Sequence, residues 1–423
     1  MPIFDQGYQH WQGPLTAFRW RWLTVARHGI RATLKSRIVK LGVLGAWLPA
    51  LALVVVLALW GLLEQQANSI TQFVSNSGLP KEMISKPQDF RSAVWTIFYS
   101  YFFKAELAWT ILLVLAVGPS LISRDLRFNA LPLYFSRPIR RIDYFLGKLG
   151  VIGFFIAATT IAPALVAYLV GIGFSLNLSV LSDTHRLLWA SLAYGLVITI
   201  SAGTLMLALS SLSRRSIYVG IAWAGFCFLT LTISSILIGI QFHSRHDESV
   251  QVEMKKWIAD HPPPQGMELD GIYPAGWRRR HDVEAAPIAN AEQIAKWQEE
   301  WSTAFYQAHS SARNENTKDD WRPVVGYTYN LGRIGDALLN VDEAWVTIGK
   351  TVERPRAAFA PALALHSGRR LPHELTRSAN DRALANQFVW QFPWQWSAGV
   401  LAGLWILSAL VLSSGVKSLD RLK

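Results

Sequence analysis

Cysteine is almost absent from this 423-residue chain, since Cys227 is the only one and it lies within a long apolar run. One cysteine cannot form an intrachain disulfide, and it argues against a cysteine-based metal site or thiol redox chemistry. Charged residues are also scarce, at 17% of the sequence, where ordinary soluble domains have about 25%. A cleavable signal peptide is not expected either, because forty residues of sequence rich in aromatic and basic side chains precede the first apolar run.

Apolar residues make up 51% of the chain, and they are concentrated in six runs. A helix needs about 20 apolar residues to cross a bilayer, and each run reaches this length or comes close to it. The expected spans are 41–63, 107–122 extended by 97–103, 149–172, 187–212, 217–241 and 393–412. Pro49 is expected to kink the first. The sequence therefore predicts an all-α integral membrane protein with six transmembrane helices.

Residues 242–393 differ from the rest of the chain, because they contain no apolar run of sufficient length and carry 18 basic against 20 acidic residues. Two helices are predicted within them, at 288–311 and 330–348, and the first has the alternation of apolar and polar residues that is typical of a solvent-facing helix. The number of spans places this segment on the extracytoplasmic side of the membrane. We therefore expect a large extracytoplasmic insertion between the fifth and sixth helices, with residues 173–186 forming a short external turn.

Basic residues lie mainly in the segments that the span count places inside, where 18 basic residues face 4 acidic ones. Short loops rich in Lys and Arg are retained in the cytoplasm, so both termini are expected there. The net charge of +12 therefore reflects topology, and no nucleic-acid partner is expected. The expected regions are a cytoplasmic interfacial helix (1–40), spans one to five (41–241), the insertion (242–393), and the last span with its tail (394–423). Residues 1–40 could instead be a simple orientation signal.

The link between the second and third spans is unusually basic. It contains six Arg or Lys residues and only two acidic ones, Asp125 and Asp143. Pro132 and the Arg137-Pro138 pair disfavour one continuous helix, so we expect a short helix, a bend and a second helix. Another protein could bind such a helix. A plain surface loop whose arginines pair with anionic lipid headgroups is the alternative.

The residues of this link resemble a known pattern. Ser123-Arg124-Asp125, then the run from Ser136 to Arg141, then Tyr144-Phe145 and Gly147-Lys148, are similar to the segment after the second span in permeases of the type-2 ATP-binding-cassette (ABC) exporter family. Many members have Glu where this chain has Asp125, which keeps the carboxylate. The resemblance covers about residues 1–240 and the last span, and it does not account for 242–393.

The resemblance implies a coupling loop at 123–148 that docks on a separate ABC ATPase subunit. The expected contact residues are Arg124, Asp125, Leu126, Arg127, Phe128, Leu131, Tyr134 and Arg137. The expected loop-to-span motif is Pro138, Arg140, Arg141, Tyr144, Gly147 and Lys148. It also implies a homodimeric or heterodimeric permease pair, with ATP and Mg on the partner and no cofactor in this chain. The expected location is the inner (plasma) membrane of a bacterium.

Two charged residues, Lys104 and Glu106, fall within the second span. Charges inside a membrane are costly and commonly functional, so one interpretation is a contact with substrate. The other is that both side chains reach the outer interface among neighbouring aromatic residues. We favour the second interpretation, because the pair lies near the end of the span.

No catalytic motif is complete. Gly349-Lys350-Thr351 ends like a phosphate-binding loop, but the first required glycine is replaced by Ala344. His373-Glu374 begins like a zinc-protease helix, but Arg377 occupies the position of the second histidine. We therefore expect no catalytic or metal site. Besides transport, the chain could belong to an ATPase-driven complex that acts mechanically on an envelope or maturation partner through residues 242–393; a hydrolase is disfavoured.

Overall fold

The computed structural model describes residues 20–76, 81–130, 140–175, 177–241, 247–264, 269–274, 291–318, 320–352 and 391–417. Within these residues the chain is almost entirely helical. Leu269–Asp270 and Tyr273–Pro274 form a two-residue antiparallel pair. The predictions for Leu131, Tyr134, Arg137 and Pro138 lie outside the described residues.

Six helical stretches are long and apolar enough to cross a membrane, which confirms the predicted class and number of spans. In chain order they are Arg37–Glu64, Pro87–Arg127, Arg141–Phe174, Ser179–Leu212, Ser216–Ile240 and Trp394–Ser414. We call them spans 1 to 6. Span 4 begins eight residues before the prediction, so the expected turn at 173–186 is wrong in extent. Two helical turns that contain polar residues precede the apolar run and belong to the same helix.

Span 1 is interrupted where the sequence predicts a kink. It consists of α2 (Arg37–Gly45) and α3 (Trp47–Glu64), which meet at Ala46. Pro49 has no N–H to donate to the carbonyl of Gly45, so the regular helical ladder cannot continue through this turn. The break therefore lies one turn before the proline. The preceding helix, α1 (Arg21–Thr33), lies within the segment predicted as an interfacial helix.

Span 2 is longer than the prediction. Its main helix, α6, runs from Pro87 to Val117, and α7 (Ser120–Arg127) follows after Gly118 and Pro119. At 1.5 Å per residue, the 31 residues of α6 extend about 46 Å, which exceeds the ~30 Å hydrocarbon core of a bilayer. The shorter helices α4 (Asn68–Asn76) and α5 (Lys81–Ser85) precede it.

Spans 3 and 4 both contain a π-helical turn. Span 3 consists of α8 (Arg141–Ile156), the π turn Ala157–Ile161 and α9 (Ala162–Phe174). Span 4 consists of α10 (Ser179–Ile198), the π turn Thr199–Gly203 and α11 (Thr204–Leu212). In span 3 the turn precedes Pro163, whose missing N–H disrupts the ladder. The two spans pack closely, since a Cβ at Gly153 would lie 2.9 Å from Thr199.

The described residues between spans 5 and 6 form two parts. Helices α13 (Asp247–Asp260) and α14 (Ala291–Lys318) pack together after span 5, whose helix α12 is Ser216–Gln241. They share a hydrophobic cluster that includes Val250, Met254 and Trp301. The second part contains the 3-10 turn Arg322–Val325, α15 (Tyr327–Leu339) and α16 (Val341–Val352). It precedes α17 (Trp394–Lys417), the helix of span 6.

The second part belongs to the core of the bundle. Tyr327, Leu331 and Val341 lie in the same hydrophobic cluster as the buried residues of spans 1 to 6. The predicted helix at 330–348 is two helices, because Asn340 adopts a left-handed conformation (φ 63°) that ends α15. Asparagine tolerates this conformation better than most residues. The stretch is therefore not one continuous helix, and from residue 291 onward the predicted helix at 288–311 coincides with α14, which continues to Lys318.

Candidate coupling surface

Helix α7 is fixed to the end of span 4 by one buried side chain. The hydroxyl of Ser210 accepts hydrogen bonds from the backbone N–H groups of Ile122 and Ser123, each at 3.1 Å, and donates to the carbonyl of Pro119 at 3.0 Å. The first N–H groups of a helix have no partner within the helix, so Ser210 satisfies two of them from outside. The start of α7 is thereby tied to α11.

Asp125 ties α7 to the start of span 3. Its carboxylate lies 2.6 Å from the Nζ of Lys148 and accepts a hydrogen bond of 2.7 Å from the hydroxyl of Tyr144. Lys148 and Tyr144 are both buried. Because Asp125 is directed at these two residues, its role in this geometry is to position α7. Two residues of the predicted loop-to-span motif, Tyr144 and Lys148, therefore contact Asp125, which was predicted to contact the ATPase.

The start of span 3 also packs against α1. A Cβ at Gly147 would lie 2.6 Å from the Cβ of Val25 and 2.9 Å from the carbonyl of Trp22, and Gly150 lies close to Ala26. A side chain at position 147 would push α1 away from span 3. At the first turn of the same helix, the backbone N–H of Arg140 donates to the carboxylate of Asp143 at 3.2 Å.

A basic surface lies on the exposed side of α7. Arg124 and Arg127 are exposed, and so is Phe128, at 72% of its full accessibility. Together with Arg214 and Ser216 they line a pocket of about 390 Å³. We call this set the arginine pocket. Leu126 is partly buried and packs against the core, so it supports α7 from within.

Sequence reasoning missed three residues of this arrangement: Ser210, Arg214 and Ser216. A signal was present for two of them: the short link at 213–216 joins the fourth and fifth predicted spans, so the span count places it on the same side of the membrane as 123–148. A serine such as Ser210 gives no sequence signal. It is one of many hydroxyl residues in the apolar runs, and only its proximity to the first turn of α7 distinguishes it.

Lys104 and Glu106 have different environments, which corrects the prediction that both reach the interface. Lys104 is 47% exposed, and its Nζ lies 3.1 Å from the carboxylate of Asp336 on α15. Ser100 donates to the same carboxylate at 2.6 Å. Glu106 is fully buried, and among the described residues neither of its carboxyl oxygens has a hydrogen-bond partner. The two side chains lie on different faces of the helix, because they are two positions apart.

No group of three or more His, Cys, Asp or Glu residues in the described part of the chain is arranged to hold a metal ion. No protein-family model matches the chain, and no curated protein or solved structure is significantly similar to it.

Proposed function

We propose that this chain is the permease subunit of an ABC exporter, which moves a substrate across the membrane with energy from ATP hydrolysed by a separate ATPase subunit. The observation that carries the proposal is the anchored basic helix α7, with Arg124, Arg127 and Phe128 exposed and Asp125 held from within. Such a surface fits a partner that offers carboxylates and an apolar pocket for the Phe128 ring. ATP and Mg belong to that partner, and two permease chains are expected in the complex.

The anchoring contacts give the proposal a mechanical basis. A force on α7 is transmitted to span 4 through Ser210 and to span 3 through the Asp125–Lys148 pair. Both of these spans contain a π turn, a feature that often occurs at functional positions in helices. ATP-driven closure of two ATPase subunits would therefore tilt spans 2 to 4 together. That movement would change the cavity between the two permease chains.

The proposed orientation places both termini and α7 in the cytoplasm and the insertion outside, in the inner membrane of a bacterium. It is tested with a membrane-impermeant maleimide on intact cells. The native Cys227 is buried and is replaced by Ser, and single cysteines are introduced at the exposed positions Phe128 and Val252. We expect labelling at position 252 only. Labelling at position 128 from outside would contradict the orientation.

The ATPase partner is tested by purifying the tagged full chain from its native membranes and measuring Mg–ATP-dependent phosphate release. We expect wild type to retain a nucleotide-hydrolysing chain and the Arg124→Ala/Arg127→Ala variant to lose most of it. Several desolvated charge contacts together are worth a factor of about 100 or more in affinity. Lys86→Ala, an exposed basic residue before α6, is the matched control and should behave as wild type. Absence of ATPase with wild type would contradict the proposal.

A second candidate function is favoured by the position of α15. This helix packs against spans 2, 4, 5 and 6, and the hydroxyl of Tyr327 lies 3.1 Å from that of Ser201 in the π turn of span 4. Burial raises the pKa of Tyr327, which keeps this hydroxyl protonated. Movement of the bundle would thus reach the insertion. The chain could then act mechanically on an envelope or maturation partner without moving a substrate.

Removing residues 247–318 separates these two functions. The deletion takes out α13 and α14 with their own hydrophobic cluster and leaves α15 in place. If the chain is a permease, the complex that contains the deletion variant should keep an ATPase activity that responds to the transported substrate. If it acts on an external partner, ATPase activity should remain while the partner no longer co-purifies with the chain.

A further inference from the structure

Three arginines line the arginine pocket from two separate segments of the chain. Arg124 and Arg127 come from the exposed side of α7, and Arg214 comes from the link between spans 4 and 5. The pocket measures about 390 Å³, which is within the range of about 300–1,000 Å³ that is typical of small-molecule sites. It is therefore a concave site of high positive charge, and an occupant must match that charge.

The positive charge of this pocket is not neutralised within the described part of the chain. None of the three guanidinium groups has a carboxylate within 4 Å there. Asp125, the sequence neighbour of Arg124, is engaged with the Nζ of Lys148 at 2.6 Å. The guanidinium group of Arg127 lies 5.6 Å from the centre of the Phe128 ring, a contact that supplies no negative charge. Like charges that share a pocket repel one another, so an anion would be stabilised here.

The number of donors in the pocket favours a phosphate group over a carboxylate. Each guanidinium group presents a planar fork of N–H donors that can bind either kind of anion. A carboxylate offers two acceptor oxygens and a single charge, whereas a phosphate monoester offers three oxygens and a charge of about −1.5 to −2 at pH 7. Three arginines around one pocket therefore match the acceptors and the charge of a phosphate monoester more closely than those of a carboxylate.

The start of α12 adds to this preference. Ser216 lines the pocket and is the first residue of this 26-residue helix. The N-terminus of a helix carries a partial positive charge and N–H groups without a partner in the helix, both of which favour a phosphate group. A Cβ at Gly220 would lie 3.5 Å from Leu115 and 3.9 Å from Pro119, so α12 starts against the junction of α6 and α7. An anion in the pocket would thus join span 2 to span 5.

The surroundings of the pocket indicate a membrane lipid as the source of the phosphate group. Leu212 and Ile217 flank the 213–216 link, and both are exposed apolar residues at the ends of spans 4 and 5. Phe128, which belongs to the pocket itself, is also exposed. The arginines therefore lie where the apolar surface of the spans ends, which is the level of the lipid headgroups. Basic pockets at this level, between membrane helices, bind anionic headgroups.

We propose that the arginine pocket binds the phosphate group of an anionic lipid, whose acyl chains lie beside Leu212 and Ile217. The same arginines carry the proposed ATPase contact, so the lipid and the ATPase subunit would compete for them. This competition rests on the proposed function, whereas lipid binding requires this chain alone. Lipid binding is therefore measured without the ATPase, and the failure of one proposal is distinguishable from the failure of the other.

The experiment measures lipid binding to the full chain, purified in detergent without an ATPase, by native mass spectrometry. Three short-chain lipids are compared: phosphatidic acid, phosphatidylcholine, and diacylglycerol, which has no phosphate. We expect phosphatidic acid to bind at least about ten times more tightly than phosphatidylcholine, because charge-assisted hydrogen bonds to a phosphate monoester are not offset by a choline cation. Diacylglycerol should bind most weakly. Equal binding of the three lipids would overturn the proposal.

Variants of two adjacent arginines test whether the pocket is the site. Arg214→Gln should lower the affinity for phosphatidic acid about tenfold or more, and Arg214→Lys, which keeps the charge but loses the planar fork, should have a smaller effect. Arg215→Gln is the matched control, because Arg215 lies on the same link but is directed at the Tyr218 hydroxyl, 3.5 Å away. It should bind as wild type. Equal losses from Arg214→Gln and Arg215→Gln would indicate non-specific attraction to a basic surface and would overturn the proposal.

Soluble phosphates distinguish a lipid from a free anion as the occupant. Inorganic phosphate and glycerol phosphate are added in excess to the chain with bound phosphatidic acid. We expect either one to displace little of the lipid, since both lack the acyl chains that contact the spans. Displacement by inorganic phosphate at the concentration of the lipid would assign the pocket to a soluble phosphate and overturn its assignment to a lipid.

Discussion

The two parts of the insertion are neighbours in sequence but differ in how they bury their apolar residues. Residues 247–318 bury Trp297 and Trp301 of α14 with Val250 and Met254 of α13, in a cluster separate from the bundle. Residues 320–352 instead contribute Leu331 and Ile334 to the main core of the bundle. The first part resembles an independent domain, and the second is a structural component of the membrane region. The position at which the sequence turns from apolar to polar therefore does not coincide with the position at which one packing unit ends and the next begins.

The largest expected effect comes from Trp301→Ala. Trp301 is fully buried at the centre of the separate cluster, and its indole N–H donates to the carbonyl of Ile272 at 2.9 Å. Removing a buried tryptophan costs about 3–5 kcal/mol, which is comparable to the whole stability of a small unit. We expect residues 247–318 to unfold while the bundle stays intact. Hydrogen exchange and limited proteolysis measure this, with the exposed Val252→Ala as control.

Leu331→Ala tests the other half of the comparison. Leu331 is fully buried in the bundle core, so its truncation should cost about 2–5 kcal/mol and lower the melting temperature of the entire membrane region. Tyr329→Ala, on the exposed side of the same helix, should have little effect. If Leu331→Ala melted only residues 320–352, the second part would be as independent as the first.

Asp336→Asn should have an intermediate effect. Asp336 is 4% exposed and holds both Ser100 and Lys104, whereas Asp342 is partly exposed and pairs with Arg333. Loss of a buried charge-assisted hydrogen bond costs about 1.5–3 kcal/mol, and the half-exposed Lys104 reduces the ion-pair contribution. We expect Asp342→Asn to cost less than about 1 kcal/mol. Chemical denaturation in detergent would measure the free energy of unfolding of both variants. Equal losses of stability would contradict the conclusion that Asp336 stabilises the bundle through Ser100 and Lys104.

Glu106→Gln should have the smallest effect. The second part of the insertion supplies a partner for Lys104, but Glu106 has no hydrogen-bond partner among the described residues. An amide has nearly the same shape as the acid and never carries a charge, which would be costly in this buried position. We expect a change in unfolding free energy within about 0.5 kcal/mol, like the exposed control Glu82→Gln. A large loss would show that an ionised Glu106 is stabilised by a partner.

Sequence reasoning predicted the six spans because each depends on a local property, the length of an apolar run. Pro49 likewise predicted a local interruption, since a proline removes a helical hydrogen bond wherever it occurs. The prediction for Glu106 was wrong because burial depends on which face of the helix meets other spans. The single helix predicted at 330–348 is two helices, because Asn340 ends the first one. Its burial in the bundle was not predicted, because a polar helix can be buried if its charges are paired by distant residues, as Asp336 is by Lys104.

The arginine pocket could be predicted in part. Arg124, Arg127 and Phe128 were found from the charge of the link and from a resemblance in motif, and they are exposed together. The inward direction of Asp125 was not predictable from spacing, because Lys148 lies on another helix, 23 positions away. Whether the arginine pocket binds an ATPase stays a prediction.

The sequence by itself determined that this is a helical membrane protein with six spans, because the cost of placing polar backbone and side chains in hydrocarbon acts on each segment separately. Only the tertiary structure decided which polar residues are buried, which part of the insertion joins the bundle, and that Ser210 and Asp125 hold α7 in place. These outcomes depend on contacts between residues far apart in the chain. The energy of such contacts depends on the distance and orientation of the two groups in the folded protein, which hydropathy and sequence spacing do not encode.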